Sequence, residues 1–351
     1  MRFLKKKILN QLLFDENLTI FDLITRFNKL PLKIALIVKK KIFFTNIITE
    51  GDIRRFFLQN NNLNLKIKDI FKKKTIVSSK IITYQVAKNI IDTNKIDQLP
   101  IVINKKIFDL FVRNLDSQQK KYSINNPAVI MAGGLGSRLG KLTKNYPKGM
   151  LLYKNKMLLE HIIAKIKNFG INNIYMSIYY CKKLIKNYFN DGSNHGIKLN
   201  YLEEKYSLGT IGSLKLLKKL NNDFFLFNCD VISDVNLTSL LKYHKKNKAF
   251  ATLCIKKFKY KNPYGVVNLN RNNFVSFQEK PEINYNINAG IYIFKPAVIN
   301  IIKKYSLKNF QDLIKILIKN KLRIKVFPIY EYWEDFGSNK NNLSRSRFNV
   351  R

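Results

Sequence analysis

Two stretches of this chain set residues at spacings suited to handling phosphate. An apolar run, Pro127-Ala128-Val129-Ile130-Met131, breaks into Ala132-Gly133-Gly134-Leu135-Gly136-Ser137-Arg138-Leu139. A strand that ends in a glycine loop turns backbone N–H groups toward an anion, so Gly133, Gly134 and Gly136 are candidate phosphate contacts. Neither familiar glycine motif fits. A dinucleotide-binding G-x-G-x-x-G read from Gly134 needs glycine where Leu139 stands, and a P-loop needs Ser or Thr after Gly140-Lys141, where the chain has Leu142. Farther on, Asp230 follows Phe224-Phe225-Leu226-Phe227, an apolar run typical of a buried parallel strand. Its carboxylate is expected at the strand's carboxyl end, where α/β sheets bind ligands, and is a hard oxygen donor suited to Mg²⁺. The three histidines, His161, His195 and His244, share no motif and read as structural or solvent-facing.

The elements that must position these groups alternate along the chain. Helical and strand patterns follow one another through Met157 to Phe169, Ile174 to Tyr179, Lys182 to Phe189, Leu214 to Leu220, Phe224 to Asn228, Leu237 to Lys246 and Phe250 to Ile255, with Gly170 as a helix stop. That alternation predicts an α/β fold with a doubly wound, mostly parallel sheet over residues 127–351. The polar run 114–126 reads as a linker. Before it, residues 1–113 contain an internal repeat. LTIFDLITRFNKL leads to KIALIVKKKIFFTNI, and ITYQVAKNIIDTNKI leads to DQLPIVINKKIFDLFV, each a helix followed by two short strands. Asp52 is positioned to cap a helix beginning at Ile53. The C-terminal SNKNNLSRSRFNVR is expected to fray.

Composition narrows the classes. No window reaches the apolar length of a spanning helix and no secretory signal is visible, so the expected setting is cytoplasmic, with no membrane partner. Cys181, Cys229 and Cys254 stand far apart and outside any C-x-x-C spacing, which argues against a disulfide scaffold or thiolate metal site. Lys and Arg number 64 against 23 Asp and Glu, a net charge of +41. The excess is spread over every segment among Asn, Ile, Phe and Tyr, residues of A/T-rich codons, so it reads as solvated lysine faces and not as a specific nucleic-acid surface. A field of that sign still attracts polyanions, nucleoside triphosphates included, and fades with salt.

The loop at 133–139 resembles the G-G-x-G-x-R-L loop of the sugar-1-phosphate nucleotidyltransferases, followed at the family's distance by Pro147-Lys148-Gly149-Met150-Leu151. Further matches keep the family's order: Leu208-Gly209-Thr210-x-Gly212-Ser213, Asn228-Cys229-Asp230, Pro263-Tyr264-Gly265, Glu279-Lys280-Pro281, Asn288-Ala289-Gly290-Ile291-Tyr292 and Trp333-Glu334-Asp335-Phe336-Gly337. The chain departs from the family at Gly140-Lys141-Leu142-Thr143 and at Gly149, where the family often has proline. The resemblance implies a Rossmann-like, glycosyltransferase-A type core with Asn262 to Lys280 as an inserted hairpin. It also implies in-line attack of a sugar 1-phosphate on the α-phosphorus of a nucleoside triphosphate, with pyrophosphate leaving and Mg²⁺ as cofactor. By the same resemblance, Ala132, Gly133, Gly134, Gly136, Arg138, Lys148, Gly209 and Thr210 contact the nucleotide. Gly265, Glu279, Lys280, Asn288 and Gly290 contact the sugar phosphate, Asp230 and Asp335 share the metal, and Arg138, Lys148, Asp230 and Lys280 carry the chemistry. A helix N-cap is the structural alternative for Thr210, over a helix through Gly212 to Leu220.

Ile48-Thr49-Glu50-Gly51-Asp52-Ile53-Arg54 resembles the signature of cystathionine-β-synthase (CBS) repeats, which implies an adenine-nucleotide site at Thr49 and Asp52 and a small α+β regulatory pair over 1–113. The second copy, near Phe108 to Arg113, lacks the Thr and the Asp-h-R pattern. The combined architecture resembles guanylyltransferases acting on hexosamine or mannose 1-phosphate for surface-glycan or legionaminic-acid-like pathways, with homo-oligomers expected. Uridylyl or thymidylyl transfer to glucose-type sugar phosphates and a non-catalytic nucleotide sensor are the alternatives.

Overall fold

In a computed structural model the described residues are 2–3, 6–27, 30, 32–60, 62–71, 75–113 and 124–337. Contacts divide the chain into two compact units, Met1–Lys121 and Tyr122–Arg351. Most of the expected linker, 114–123, and all of the C-terminal segment expected to fray lie outside the described residues.

The first unit repeats one motif. Helix Ile20–Phe27 precedes the hairpin Ile34–Lys39 and Phe43–Thr49, and helix Tyr84–Asn94 precedes the hairpin Gln98–Ile103 and Lys106–Val112. Both hairpins turn through residues with positive φ, Lys40 and Lys41 in one, Asn104 and Lys105 in the other, as two-residue turns require. The pairing of Phe43 with Lys106 joins the halves in one six-stranded sheet. Asp52 does not cap a helix starting at Ile53: the helix is Glu50–Gln59, Thr49 is its N-cap, and Asp52 closes a capping box by accepting from the Thr49 backbone N–H at 2.8 Å.

The second unit is built on a seven-stranded sheet in the order Lys198–Glu203, Asn173–Ile178, Ala128–Met131, Phe224–Asn228, Glu282–Phe294, Ala251–Lys261, Ile324–Ile329. Every neighbour pair is parallel except the two that involve Glu282–Phe294. The central strands are apolar throughout because both faces are covered. Phe225 and Phe227 pack with Ile162, Ile166 and Leu240, and Phe224 and Leu226 pack with Val298, Ile302 and Leu317. Gly170 ends helix Leu158–Asn168 at φ 80°. Where the sequence suggests a helix to Leu220, one 3₁₀ turn, Gly212–Leu216, is found. The expected hairpin at 262–280 is longer: strands Val266–Asn270 and Asn273–Gln278 sit at the end of a ribbon formed by Ala251–Lys261 and Glu282–Phe294.

The chain leaves Ala128–Met131 toward one side of the sheet and reaches Phe224–Asn228 on the other, so the strand order reverses between them. At such a switch point the connecting loops part and leave a crevice at the carboxyl ends. The register aligns Met131 with both Ser177 and Asn228, and this row forms the crevice floor.

Candidate active site

The crevice is a cleft of about 360 Å³, within the size range of small-molecule sites. One wall is the glycine loop. Gly133 is required by space, since a Cβ there would meet Glu204 Oε1 at 2.7 Å and Ser177 Oγ at 3.3 Å. Gly136 is required by its backbone, at φ 66°, with Thr143 closing on it from behind. The Thr143 hydroxyl donates to the Gly136 carbonyl at 2.9 Å and fixes the loop from within. Ala132 lies just beneath, buried, its N–H donating to the Ser177 carbonyl at 3.0 Å. Gly134 and Arg138 face the cleft.

The opposite wall is the Leu208-Gly209-Thr210 loop, seated on the chain around Lys308. Gly209 has φ 79°, and a Cβ there would strike the Lys308 carbonyl at 2.6 Å. The Thr210 hydroxyl accepts from the Phe310 N–H at 2.9 Å, so it caps helix Phe310–Lys319 and not a helix of its own.

The charged end of the cleft gathers three groups. Lys148, buried in a 3₁₀ turn behind Pro147, pairs with Asp230. Asp335 lies on Trp333–Asp335, which pairs antiparallel with Val231–Ser233, and the Phe336 N–H donates to the Asp230 carbonyl at 2.9 Å. These contacts bring two sequence-distant carboxylates together. A Cβ on Gly337 would meet Asp230 Oδ2 and Asp335 Oδ1 at 2.7 Å each and Lys148 Nζ at 3.0 Å, so all three atoms surround one point. Burial, with the Asp230 charge adding to it, raises the Asp335 carboxyl above its ordinary pKa, while Lys148 and Arg138 oppose that rise. Between Asn228 and Asp230, burial pushes the Cys229 thiol up to about 12, an inert neighbour and not a nucleophile.

Two carboxylates around one point form a donor set that suits Mg²⁺, which typically takes one or two carboxylates and completes its shell with substrate phosphates and water. Among the described residues no group of three or more His, Cys, Asp and Glu side chains is placed to hold a metal alone.

The remaining residues singled out from sequence fall in three places. Asn288 donates to the Tyr292 hydroxyl at 2.7 Å and accepts from the Gly290 N–H, while Gly290, at φ 69°, packs on Asn228 at the cleft floor. Gly265, Glu279 and Lys280 are not among the residues lining the cleft. They stand together where the ribbon meets its hairpin, with Glu279 and Lys280 more than half exposed and 3.7 Å apart. Thr49 and Asp52, in the first unit, line a separate cavity of about 280 Å³ with Arg55, Thr75, Lys95 and Asp97.

Sequence reasoning missed Ser177 and Glu204. Glu204 is buried at the end of Lys198–Glu203, accepting from the Ser177 hydroxyl at 2.5 Å and from the Leu208 N–H at 2.8 Å. The available signal was its position, a carboxylate at a strand end just before the Leu-Gly-Thr loop.

Over the second unit the chain is similar to known proteins. It is 31% identical over 225 residues to the mannose-1-phosphate guanylyltransferase catalytic subunit beta of Dictyostelium discoideum, 62% of each chain. It is 32% identical over 229 residues to the mannose-1-phosphate guanyltransferase of Candida albicans, again 62% of each. The chain thus spans about 62% of the length of the curated relatives it matches. A Bacillus anthracis structure, provisionally designated a glucose-1-phosphate thymidylyltransferase, superposes with a TM-score of 0.50 at 21% identity, over 61% of this chain and 90% of that one, a likeness of fold. The nucleotidyl transferase family profile matches residues 127–349, the unit that carries the cleft, and the chain belongs to that family.

Proposed function

We propose that this chain transfers guanylate from GTP to a hexosamine or mannose 1-phosphate, giving a GDP-sugar and pyrophosphate. A sugar-phosphate oxygen attacks the α-phosphorus while the bond to the β-phosphate oxygen breaks, and the leaving pyrophosphate takes that electron pair. The nucleophile is already an anion, so alignment and charge neutralisation supply the acceleration and no protein nucleophile or base is needed. The carrying observation is the convergence of the glycine loop, Arg138, Lys148, Asp230 and Asp335 at one cleft on the strands' carboxyl ends. Arg138 and Lys148 offset the charge that grows on the departing pyrophosphate. Asp230 and Asp335 would hold Mg²⁺, which when bound neutralises phosphate charge.

Glu204 supports guanine as the base. A carboxylate only accepts hydrogen bonds, and two of its four acceptor positions are used by Ser177 and Leu208. The edge of guanine offers two adjacent N–H donors, whereas uracil and thymine offer one beside a carbonyl. The mannose-1-phosphate guanylyltransferase relatives support the same base and sugar class. In the first unit, the repeat and the cavity holding Thr49 and Asp52 support a CBS-type adenine-nucleotide site.

The test is pyrophosphate release with Mg²⁺, crossing GTP, UTP, dTTP, CTP and ATP against glucosamine, N-acetylglucosamine, mannose and glucose 1-phosphates. Release that requires both GTP and a hexosamine or mannose 1-phosphate is expected. Turnover with UTP or dTTP alone overturns the guanylyl assignment, and triphosphate binding without turnover on any sugar phosphate overturns the transferase.

A further inference from the structure

Trp333, the chain's one tryptophan, stands two residues before Asp335 on the short strand Trp333–Asp335. Side chains two apart on a strand share a face, so the indole and the carboxylate lie on the same side. Antiparallel pairing sets Asp335 opposite Val231 and Trp333 opposite Ser233. The chain entering the strand is fixed as well, since the Tyr332 carbonyl accepts from the Asp234 N–H at 2.9 Å and from the Ser233 hydroxyl at 3.0 Å. The indole packs, half-buried, against the apolar core on one face of the sheet. Its N–H donates to the Ala289 carbonyl at 2.8 Å.

That acceptor sits where the sheet register breaks. Leu253 pairs with Tyr292 and Ile255 with Asn288, so Ala289, Gly290 and Ile291 stand against Cys254 alone, while pairing with Phe224–Asn228 reaches only to Ile291. A bulge leaves its extra residues outside the ladder and re-aims the chain beside it, which is why bulges recur next to active sites. Here it turns Gly290, at φ 69°, onto the cleft floor, where an added Cβ would meet Asn228 Nδ2 at 2.9 Å and Val231 Cγ2 at 3.0 Å. Val231 is also the residue that pairs with Asp335. Bulge, indole and carboxylate strand therefore close a ring of contacts.

We propose that Trp333 is a positioning residue: its indole N–H holds the Ala289-Gly290 bulge against the strand of Asp335, and so couples the sugar-phosphate side of the cleft to its carboxylate pair. This role rests on the guanylyltransferase reading of the cleft, in which Asn288 and Gly290 face the sugar phosphate and Asp230 and Asp335 hold Mg²⁺. An indole has two rotatable bonds and a single donor, so a hydrogen bond from its ring transmits position that a longer, flexible side chain would absorb. Phenylalanine in its place keeps an aromatic ring in the core and removes only the donor. The Ala289 carbonyl then loses its tie, and bulge and carboxylate strand are free to shift apart.

A lone tryptophan makes the experiment direct, because all indole emission comes from this one place. On the full chain, emission is followed first against Mg²⁺, and then against mannose or glucosamine 1-phosphate, whichever supports turnover, with Mg²⁺ and a non-hydrolysable GTP analogue present. Each addition is expected to change the emission saturably, and Asp335→Asn should lose the Mg²⁺ response. In initial-rate kinetics, Trp333→Phe should raise the KM for the sugar phosphate and the Mg²⁺ concentration for half-maximal rate about tenfold each, with the KM for GTP at saturating Mg²⁺ within about twofold of wild type. Equal loss in all three constants, or an unchanged value for either of the first two, overturns the proposal, as does an emission that ignores either ligand. Turnover with a silent tryptophan strikes the coupling alone. A wild-type chain that turns over no sugar phosphate strikes the guanylyltransferase reading and the coupling with it. Should Trp333→Phe fail to fold, emission from the wild-type chain decides alone.

Discussion

A methyl group added at Gly134 meets no protein atom within 4 Å, whereas at Gly133 it meets a carboxylate pinned by two hydrogen bonds. The two glycines therefore separate protein packing from ligand approach. Gly134→Ala is expected to leave the melting temperature unchanged and raise the KM for the triphosphate about tenfold, the cost of displacing a phosphate from backbone N–H donors. Gly133→Ala should lower both stability and affinity, because Glu204 must move; thermal unfolding beside initial-rate kinetics distinguishes the two. Asp230→Asn and Asp335→Asn should each reduce kcat by about 100-fold or more, since either change removes a charged oxygen from the point both carboxylates share. Full turnover in either variant would remove the metal assignment. Glu204→Gln keeps the shape while turning one acceptor into a donor, so kcat/KM for GTP should fall by about 100-fold while that for UTP rises.

Helix Leu237–Lys246 carries His244 against the neighbouring strand, its Nδ1 sharing a hydrogen bond of 2.8 Å with the Thr252 hydroxyl. Burial holds the imidazole below its ordinary pKa, opposed by Asp223 at 3.6 Å. In the unfolded chain His244 takes up a proton as pH falls through about 6.5, and in the folded chain it does so only at lower pH. Its contribution to stability is therefore intact above about pH 6.5 and is lost as pH falls below it. Melting curves between pH 7.5 and 5.5 should show a smaller acid loss in His244→Gln than in the wild-type chain. The wild-type loss unchanged in the variant would assign the slope to other groups. The elements themselves were largely legible, because Lys182–Phe189 and Leu237–Lys246 carry helical periodicity and Phe224–Asn228 is a short, continuous apolar run of strand length. What the sequence hid were partnerships across the chain. Thr210 serves a helix that begins 100 residues later, and Glu204 is held from another strand by Ser177, neither of which leaves a local pattern. Asp335 was legible only by resemblance, since its meeting with Asp230 depends on one short antiparallel pair. Glu279 and Lys280 matched a motif, yet periodicity gave no means to see that they stand exposed between hairpin and ribbon, away from the residues that line the cleft.

For the whole molecule the dominant quantity is charge. At +41 the chain sets up a positive field that attracts any polyanion wherever the lysines stand, whereas Arg138 and Lys148 line the cleft and, in the proposed reaction, would meet the triphosphate at contact distance. The two contributions respond differently to salt. The diffuse field is screened with a Debye length that shrinks from about 10 Å at 0.1 M toward about 3 Å at 1 M, while the Lys148–Asp230 pair is buried and largely shielded from salt. Raising sodium chloride from about 0.05 to about 0.5 M should therefore raise the KM for the triphosphate several-fold and leave kcat nearly unchanged. The same titration on Arg138→Gln should retain that salt slope from a higher starting KM, because one arginine among 64 cations hardly alters the long-range field. A flat KM in the wild-type chain would show that the lysine excess has no part in substrate capture. A parallel fall in kcat would place the salt-sensitive step in the chemistry, contrary to a buried charged end. Polyanions such as heparin should compete with the triphosphate at low salt and cease to do so at high salt, the signature of a diffuse field and not of a built polyanion site.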